Sequence, residues 1–275
     1  MTTSSPPVSA LTIAGSDSGG GAGIQADLKT FAAHRVHGLC AIAALTAQHT
    51  RGVTAVEVPP PAFLRAQIDA CFDDFDIAAV KIGMLANADM IHAVAKALDQ
   101  HCPSHIVLDP VMVATSGAQL LANTAIEVLR KRLLPMATVI TPNLHEAEFL
   151  LGRPIPDLDA MREACDALLD LGAGAVLLKG GHLADGNEVV DLFSARRESG
   201  GRMRREIRHP RLDLDAHGTG CTLASAITAQ LALGLPLIDA CSAASDYVHR
   251  ALKLGTRPGR SRVLVLDHFG AAEPV

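Results

Sequence analysis

Short apolar runs alternate with longer amphipathic stretches along most of the chain. Leu11-Thr12-Ile13-Ala14, Cys40-Ala41-Ile42-Ala43-Ala44-Leu45, Ala78-Ala79-Val80-Lys81-Ile82, His105-Ile106-Val107-Leu108-Asp109, Thr138-Val139-Ile140 and Ala175-Val176-Leu177-Leu178-Lys179 are too short for helices. They read as strands buried on both faces. The spacing predicts helices over 22–35, 62–75, 88–101, 119–133, 143–151 and 158–171. Strands and helices alternating in this way build βαβ units around a parallel, doubly wound sheet. Val53 to Val58 alternates and reads as a separate, half-exposed strand. From about 187 to 214 the pattern changes, and two strand-like runs flank Ser199-Gly200-Gly201, which predicts an antiparallel edge. Helices 219–233, closed by Gly234, and 237–253 are expected to pack back, with 262–266 closing an edge. No linker or repeat interrupts the pattern. The expected organisation is a loose Ser/Thr/Pro-rich tail over 1–9 and one α/β domain over 10–275.

Composition narrows the function classes. The net charge of −5 argues against a nucleic-acid partner. Mean hydropathy is +0.25, which raises the question of a membrane. The most apolar stretch, 219–245, is interrupted by Gln230, Pro236 and Asp239, so it reads as two core helices and no span. The six cysteines form no CxxC pair, which fits a reducing cytoplasm better than a disulfide framework or a zinc cluster. Residues 1–9 lack the basic start and apolar run of a signal peptide. His34, His37, His49, His92, His101 and His105 share no ligand spacing.

In open α/β sheets, ligands bind beyond the carboxyl ends of the strands. The residues there are Gly15-Ser16-Asp17, Gln48, Gly83-Met84, Asp109-Pro110-Val111, Asn143 with Glu146, Lys179-Gly180-Gly181 and the Gly218 loop. The loop from Gly15 to Gly23 has five glycines in nine residues but matches neither G-x-x-x-x-G-K-[ST] nor G-x-G-x-x-G. It reads as a substrate-enclosing turn or as a flexible connection. The most informative stretch is Asp215-Ala216-His217-Gly218-Thr219-Gly220-Cys221-Thr222, a glycine-rich turn running into a helix. Such a helix start gathers unpaired N–H groups and favours anions. A thiol there is expected to have a lowered pKa. A proton acceptor beside an anion site suits phosphoryl transfer to a hydroxyl. An ordinary helix cap with a buried cysteine is the other reading.

The remaining candidates each carry two readings. Asp27 sits one turn into a helix, where carboxylates are mostly solvated. Gln48 has the donor and acceptor that suit the edge of a heterocycle. Asp109 is either a loop cap or a magnesium-side ligand. Asn143-x-x-Glu146 is a capping box that also allows contact with metal-bound water. Lys179 either neutralises nucleotide phosphates or is an exposed lysine before a turn. The basic run Arg196, Arg197, Arg202, Arg204, Arg205, Arg208 and Arg211 reads as a charged edge that blocks strand pairing.

Taken together the motifs are specific. The segment from Ala14 to Thr30 resembles the N-terminal motif of the hydroxymethylpyrimidine and phosphomethylpyrimidine kinases of thiamine synthesis. Ala44-Leu45-Thr46-Ala47-Gln48, Lys81-Ile82-Gly83-Met84-Leu85, Asp109-Pro110-Val111-Met112-Val113, Thr141-Pro142-Asn143-Leu144-x-Glu146, Leu178-Lys179-Gly180-Gly181-His182 and His217-Gly218-Thr219-Gly220-Cys221-Thr222 resemble its further motifs. The resemblance runs from about residue 10 to 255. It implies a ribokinase-like α/β/α sandwich, a mostly parallel sheet with a small antiparallel edge, and a homodimer. It implies ATP and Mg2+ as partners, with two successive phosphorylations of 4-amino-5-hydroxymethyl-2-methylpyrimidine.

Carried over residue by residue, the resemblance puts Gln48 and Asp27 on the pyrimidine, with Gly15, Met84 and Val111 forming its pocket. It puts Asp109 and Glu146 on the metal and its water, and Lys179 on the ATP phosphates. It makes Gly218, Thr219 and Gly220 the anion hole and gives Cys221 the base position. Two positions depart from the family pattern: Thr115 replaces a lysine, and Asp215-Ala216 replaces Asn-Thr. A pyridoxal-type kinase with the same Gly-Thr-Gly-Cys ending, and a non-catalytic pyrimidine-binding sensor, are the competing readings.

Overall fold

Alternate residues of the central strands point to opposite cores, and this organises the protein. The computed structural model describes residues 7–112, 120–183, 186–197 and 199–272. Its strands and helices run in chain order as β1 (Ser9–Gly15), α1 (Gly23–Ala33), β2 (His37–His49), β3 (Gly52–Glu57), α2 (Pro61–Asp74), β4 (Ile77–Ile82), α3 (Ala88–His101), β5 (Ile106–Leu108), α4 (Asn123–Arg132), β6 (Val139–Ile140), α5 (Leu144–Leu151), α6 (Leu158–Asp170) and β7 (Ala175–Leu178). Then come β8 (Glu188–Arg196), β9 (Arg202–Pro210), β10 (Ala216–His217), α7 (Thr219–Ala232), α8 (Leu237–Lys253) and β11 (Leu264–Val265). The expected tail lies outside the described residues up to position 6, and Ser9 already belongs to β1.

One nine-stranded sheet has the order β3-β2-β1-β4-β5-β6-β7-β8-β9. The strands from β2 to β7 pair in parallel through β1, β4, β5 and β6. Antiparallel pairs flank them: β3 on β2 at one edge, and β7, β8 and β9 at the other. Leu11, Ile13, Val80, Ile82, Ile106, Leu108, Val176 and Leu178 face one core, shared with α2 to α6. Val107, Val139, Ala175 and Leu177 face the other, shared with α7 and α8. Ala10 packs with Phe31 of α1 and Ala229 of α7 on that second side. This is the expected α/β/α layering. It follows from period-two strands that are apolar on both faces.

The Leu264–Val265 segment does not close the main sheet. It pairs in parallel with Ala216–His217 as a separate two-stranded ribbon. Four arginines of the hairpin edge are paired: Arg202 and Arg204 with Asp166, Arg196 with Asp170, and Arg208 with Glu188 and Glu206. Among the described residues no helix is long and apolar enough to cross a membrane. The segment that contains Thr115 lies outside the described residues.

Candidate active site

The sheet order reverses direction at β1, whose neighbours β2 and β4 lead to opposite sides, so a crevice opens beyond the carboxyl ends of these strands. A cavity of about 770 Å³ lies there. Gly15, Gln48, Met84, Val111, Asp109, Glu146, Lys179, Gly218, Thr219, Gly220 and Cys221 all line it. Eleven of the twelve positions expected to form the site therefore share one chamber. Asp27 is not among them.

The floor is close-packed. A Cβ on Gly15 would lie 2.7 Å from the Met84 sulfur, so any larger residue there would push the Met84 side chain aside. The glycine loop after β1 is folded around a carboxylate. Asp17 accepts from the N–H groups of Gly19 at 2.8 Å, Gly21 at 3.0 Å and Ala22 at 2.8 Å. Its Oδ2 also lies 3.1 Å from Nε2 of His217. Burial works against the charge on Asp17, but these hydrogen bonds hold its carboxyl below the usual range. His217 Nε2 is in turn 2.9 Å from the amide nitrogen of Gln48, and Thr46 Oγ1 is 3.0 Å from Gln48 Oε1. A polar cluster of Asp17, His217 and Gln48 thus faces one end of the cavity. Asp17 stands among the strand-end positions and His217 in the glycine-rich turn, but the sequence alone assigns neither a role of its own. A carboxylate inside a five-glycine loop was the available signal.

At the other end sit the charged groups. Lys179 Nζ donates to Asp109 Oδ1 at 3.1 Å and lies 4.0 Å from Glu146 Oε2. Asn143 and Glu146 form the expected capping box at the start of α5, and the Glu146 carboxylate is still exposed to the cavity. Burial first, and then the negative charge of Asp109, push Glu146 up to about 7 against the pull of Lys179. Two carboxylates share one ammonium here, which leaves acceptor capacity and negative charge for a further cation. Among the described residues no group of three or more His, Cys, Asp and Glu side chains could hold a metal alone.

The helix α7 opens between these two ends. Gly218 caps it with φ 85°, and a Cβ there would fall 1.9 Å from the Gly21 carbonyl oxygen. Only glycine turns the chain so tightly against the first loop. The first intrahelical bond runs from Thr222 N to Gly218 O at 2.9 Å. The preceding N–H groups are free of helical acceptors, and their residues line the cavity. A Cβ on Gly220 would lie 3.0 Å from Lys179 Nζ, so this helix mouth touches the charged end.

Two expectations need correction. The Cys221 thiol is not acidified by the helix start. Burial pushes it up to about 11, with Lys81 and the Gly23 N–H pulling down and Asp27 and Asp109 pushing up. Desolvation of the thiolate is the largest of these effects. Asp27, expected on the pyrimidine, is fully buried in α1 and bonded to Lys81, Thr12 and Ser225. A carboxylate so enclosed has no face left for a ligand. The added charge of Asp215 is exposed and does not line the cavity.

The family model described as phosphomethylpyrimidine kinase matches residues 17–265. A thiamine biosynthesis bifunctional protein of Geobacter sulfurreducens is 47% identical over 98% of this chain, which spans only 54% of that relative's length. A hydroxymethylpyrimidine/phosphomethylpyrimidine kinase of Rhizobium meliloti is 51% identical over 90% of this chain and 91% of its own. Among solved structures, an ADP complex of Bacillus subtilis pyridoxal kinase superposes with a TM-score of 0.86 at 35% identity, covering 96% of this chain and 98% of that one.

Proposed function

The chain belongs to the phosphomethylpyrimidine kinase family, and we propose that it phosphorylates the hydroxymethyl oxygen of 4-amino-5-hydroxymethyl-2-methylpyrimidine and then extends the monophosphate to the diphosphate. ATP is the phosphoryl donor, as expected of a kinase in this family, and the product serves thiamine biosynthesis. One observation carries the reading: the helix mouth at Gly218, Thr219, Gly220 and Cys221 meets Lys179 and Asp109 in the same chamber as Gln48.

The roles follow from position. Gln48 holds the heterocycle edge, with Gly15, Met84 and Val111 as the apolar walls. Lys179 and the N–H groups of Thr219 and Gly220 receive the negative charge of the migrating phosphoryl group. The acceptor oxygen bonds to the γ-phosphorus as the bond to ADP breaks, and the hydroxyl proton must then leave. Cys221 stands at that point. In its thiolate form, which burial makes the minor one, Cys221 takes that proton and becomes the thiol late in the step, as a loose phosphoryl transition state permits. Asp109 and Glu146 would hold Mg2+, and the fit is supported by two carboxylates sharing the one ammonium of Lys179. The ion would neutralise phosphate charge.

We extend the reading to a homodimer in a reducing cytoplasm. Leu45 and Val56 are 47% and 42% exposed on the β2–β3 edge, and all six cysteines are free. Pyridoxal phosphorylation is the second reading, supported by the likeness to the Bacillus subtilis pyridoxal kinase. ADP release measured with the pyrimidine alcohol, its monophosphate and pyridoxal separates them. The proposal expects turnover with both pyrimidines. Preference for pyridoxal, or binding without ADP release, would overturn it.

A further inference from the structure

Asp27 gathers groups from both strands of the crevice and from the helix that opens onto it. Its Oδ2 accepts from Thr12 Oγ1 of β1 at 2.6 Å and from Lys81 Nζ of β4 at 2.8 Å. Its Oδ1 accepts from Ser225 Oγ of α7 at 2.7 Å and from Lys81 Nζ at 3.0 Å. All four residues have no exposed surface. Ser225 lies four residues beyond Cys221, on the same helix face. Lys81 reaches the cavity wall, and a Cβ on Gly83 would lie 2.7 Å from its Nζ.

A buried ion pair is a poor source of stability, because apolar side chains of similar volume do as well or better. Lys81 stands in a strand whose neighbours Val80 and Ile82 fill the opposite core. An apolar residue at its position would complete the α1–α7 side without any charge to neutralise. The pair is therefore better explained by what it does to the adjoining site.

We propose that Lys81, held by Asp27, is a positioning residue for phosphoryl transfer: it fixes a positive charge behind Cys221 and, through Asp27 and Ser225, locks the first turns of α7 onto β1 and β4. Lys81 and the Gly23 N–H favour the thiolate, and the charges of Asp27 and Asp109 oppose it. Lys81, Asp109, Lys179 and Cys221 all line the same cavity. This assignment rests on the kinase reading, and ADP release by the parent protein tests that reading on its own.

The test is Lys81→Met combined with Asp27→Leu, which removes both charges and leaves neither unpaired. Thermal unfolding reports whether the fold survives. Turnover and pyrimidine KM report the site. The expected result is a parent-like Tm, kcat lower by about tenfold or more, and KM within about threefold. A kcat within about twofold of the parent overturns the assignment. If the double variant does not fold, Ser225→Ala decides, since it keeps the charge pair and cuts only the tie to α7. A kcat loss of about threefold or more at constant pyrimidine KM supports the proposal, and a parent-like kcat overturns it.

Discussion

Lys179 and Asp109 are joined at 3.1 Å across the mouth of the crevice, and the same ammonium lies 4.0 Å from Glu146. One cation therefore balances two carboxylates. Lys179→Met is expected to lower kcat by about a hundredfold, the scale of one lost electrostatic stabiliser of a transition state. ADP release at saturating pyrimidine measures this. Unchanged turnover would remove Lys179 from the phosphate path.

Cys221→Ala should lower kcat by about a hundred- to ten-thousandfold with little change in pyrimidine affinity. Steady-state kinetics and calorimetric titration of the pyrimidine separate the two effects. Equal loss of both would make Cys221 a packing residue.

Gly218→Ala places a methyl group 1.9 Å from the Gly21 carbonyl oxygen at φ 85°. The loop must move, so ATP-dependent turnover should fall below about one hundredth of the parent while the two cores keep the protein folded. Circular dichroism and ADP release check it. Asp215→Asn is the control: its side chain is exposed outside the cavity, and ATP KM should stay within about twofold.

His268 gives a pH-dependent stability. It is buried, its Nε2 lies 3.1 Å from Thr222 Oγ1, and burial holds it down at about 4 against an ordinary 6.5. Between these values the unfolded chain binds a proton that the folded chain does not. Its contribution is complete above about pH 6.5 and is lost as the pH falls toward 4. His268→Gln should flatten the fall of Tm over that interval. Identical slopes in the two proteins would contradict the burial argument.

How legible the chain was depended on how local each cause is. The bounds of α3 and α8 were read correctly because one face of each is apolar at helical spacing. Strand β2 runs further than its apolar core, since its polar ends gain partners from β1 and β3 that no local pattern announces. The strand at 264–265 was read, but not its partner at 216–217, because the pairing spans almost fifty residues and rests on two of them. Asp27 was misplaced for the same reason. Its partners lie 15, 54 and 198 residues away in sequence. Lys81, the one cation in an apolar strand, was the clue that a buried counter-charge had to exist.

The ribbon formed by Leu264–Val265 and Ala216–His217 has a consequence for biosynthesis. The turn at Gly218 follows directly on the braced residues, and its brace is encoded some forty-five positions downstream. Leu264 and Leu266 of this segment are buried in the core shared with α7 and α8. That core and the anion-binding turn are therefore secured together, by residues made late in synthesis.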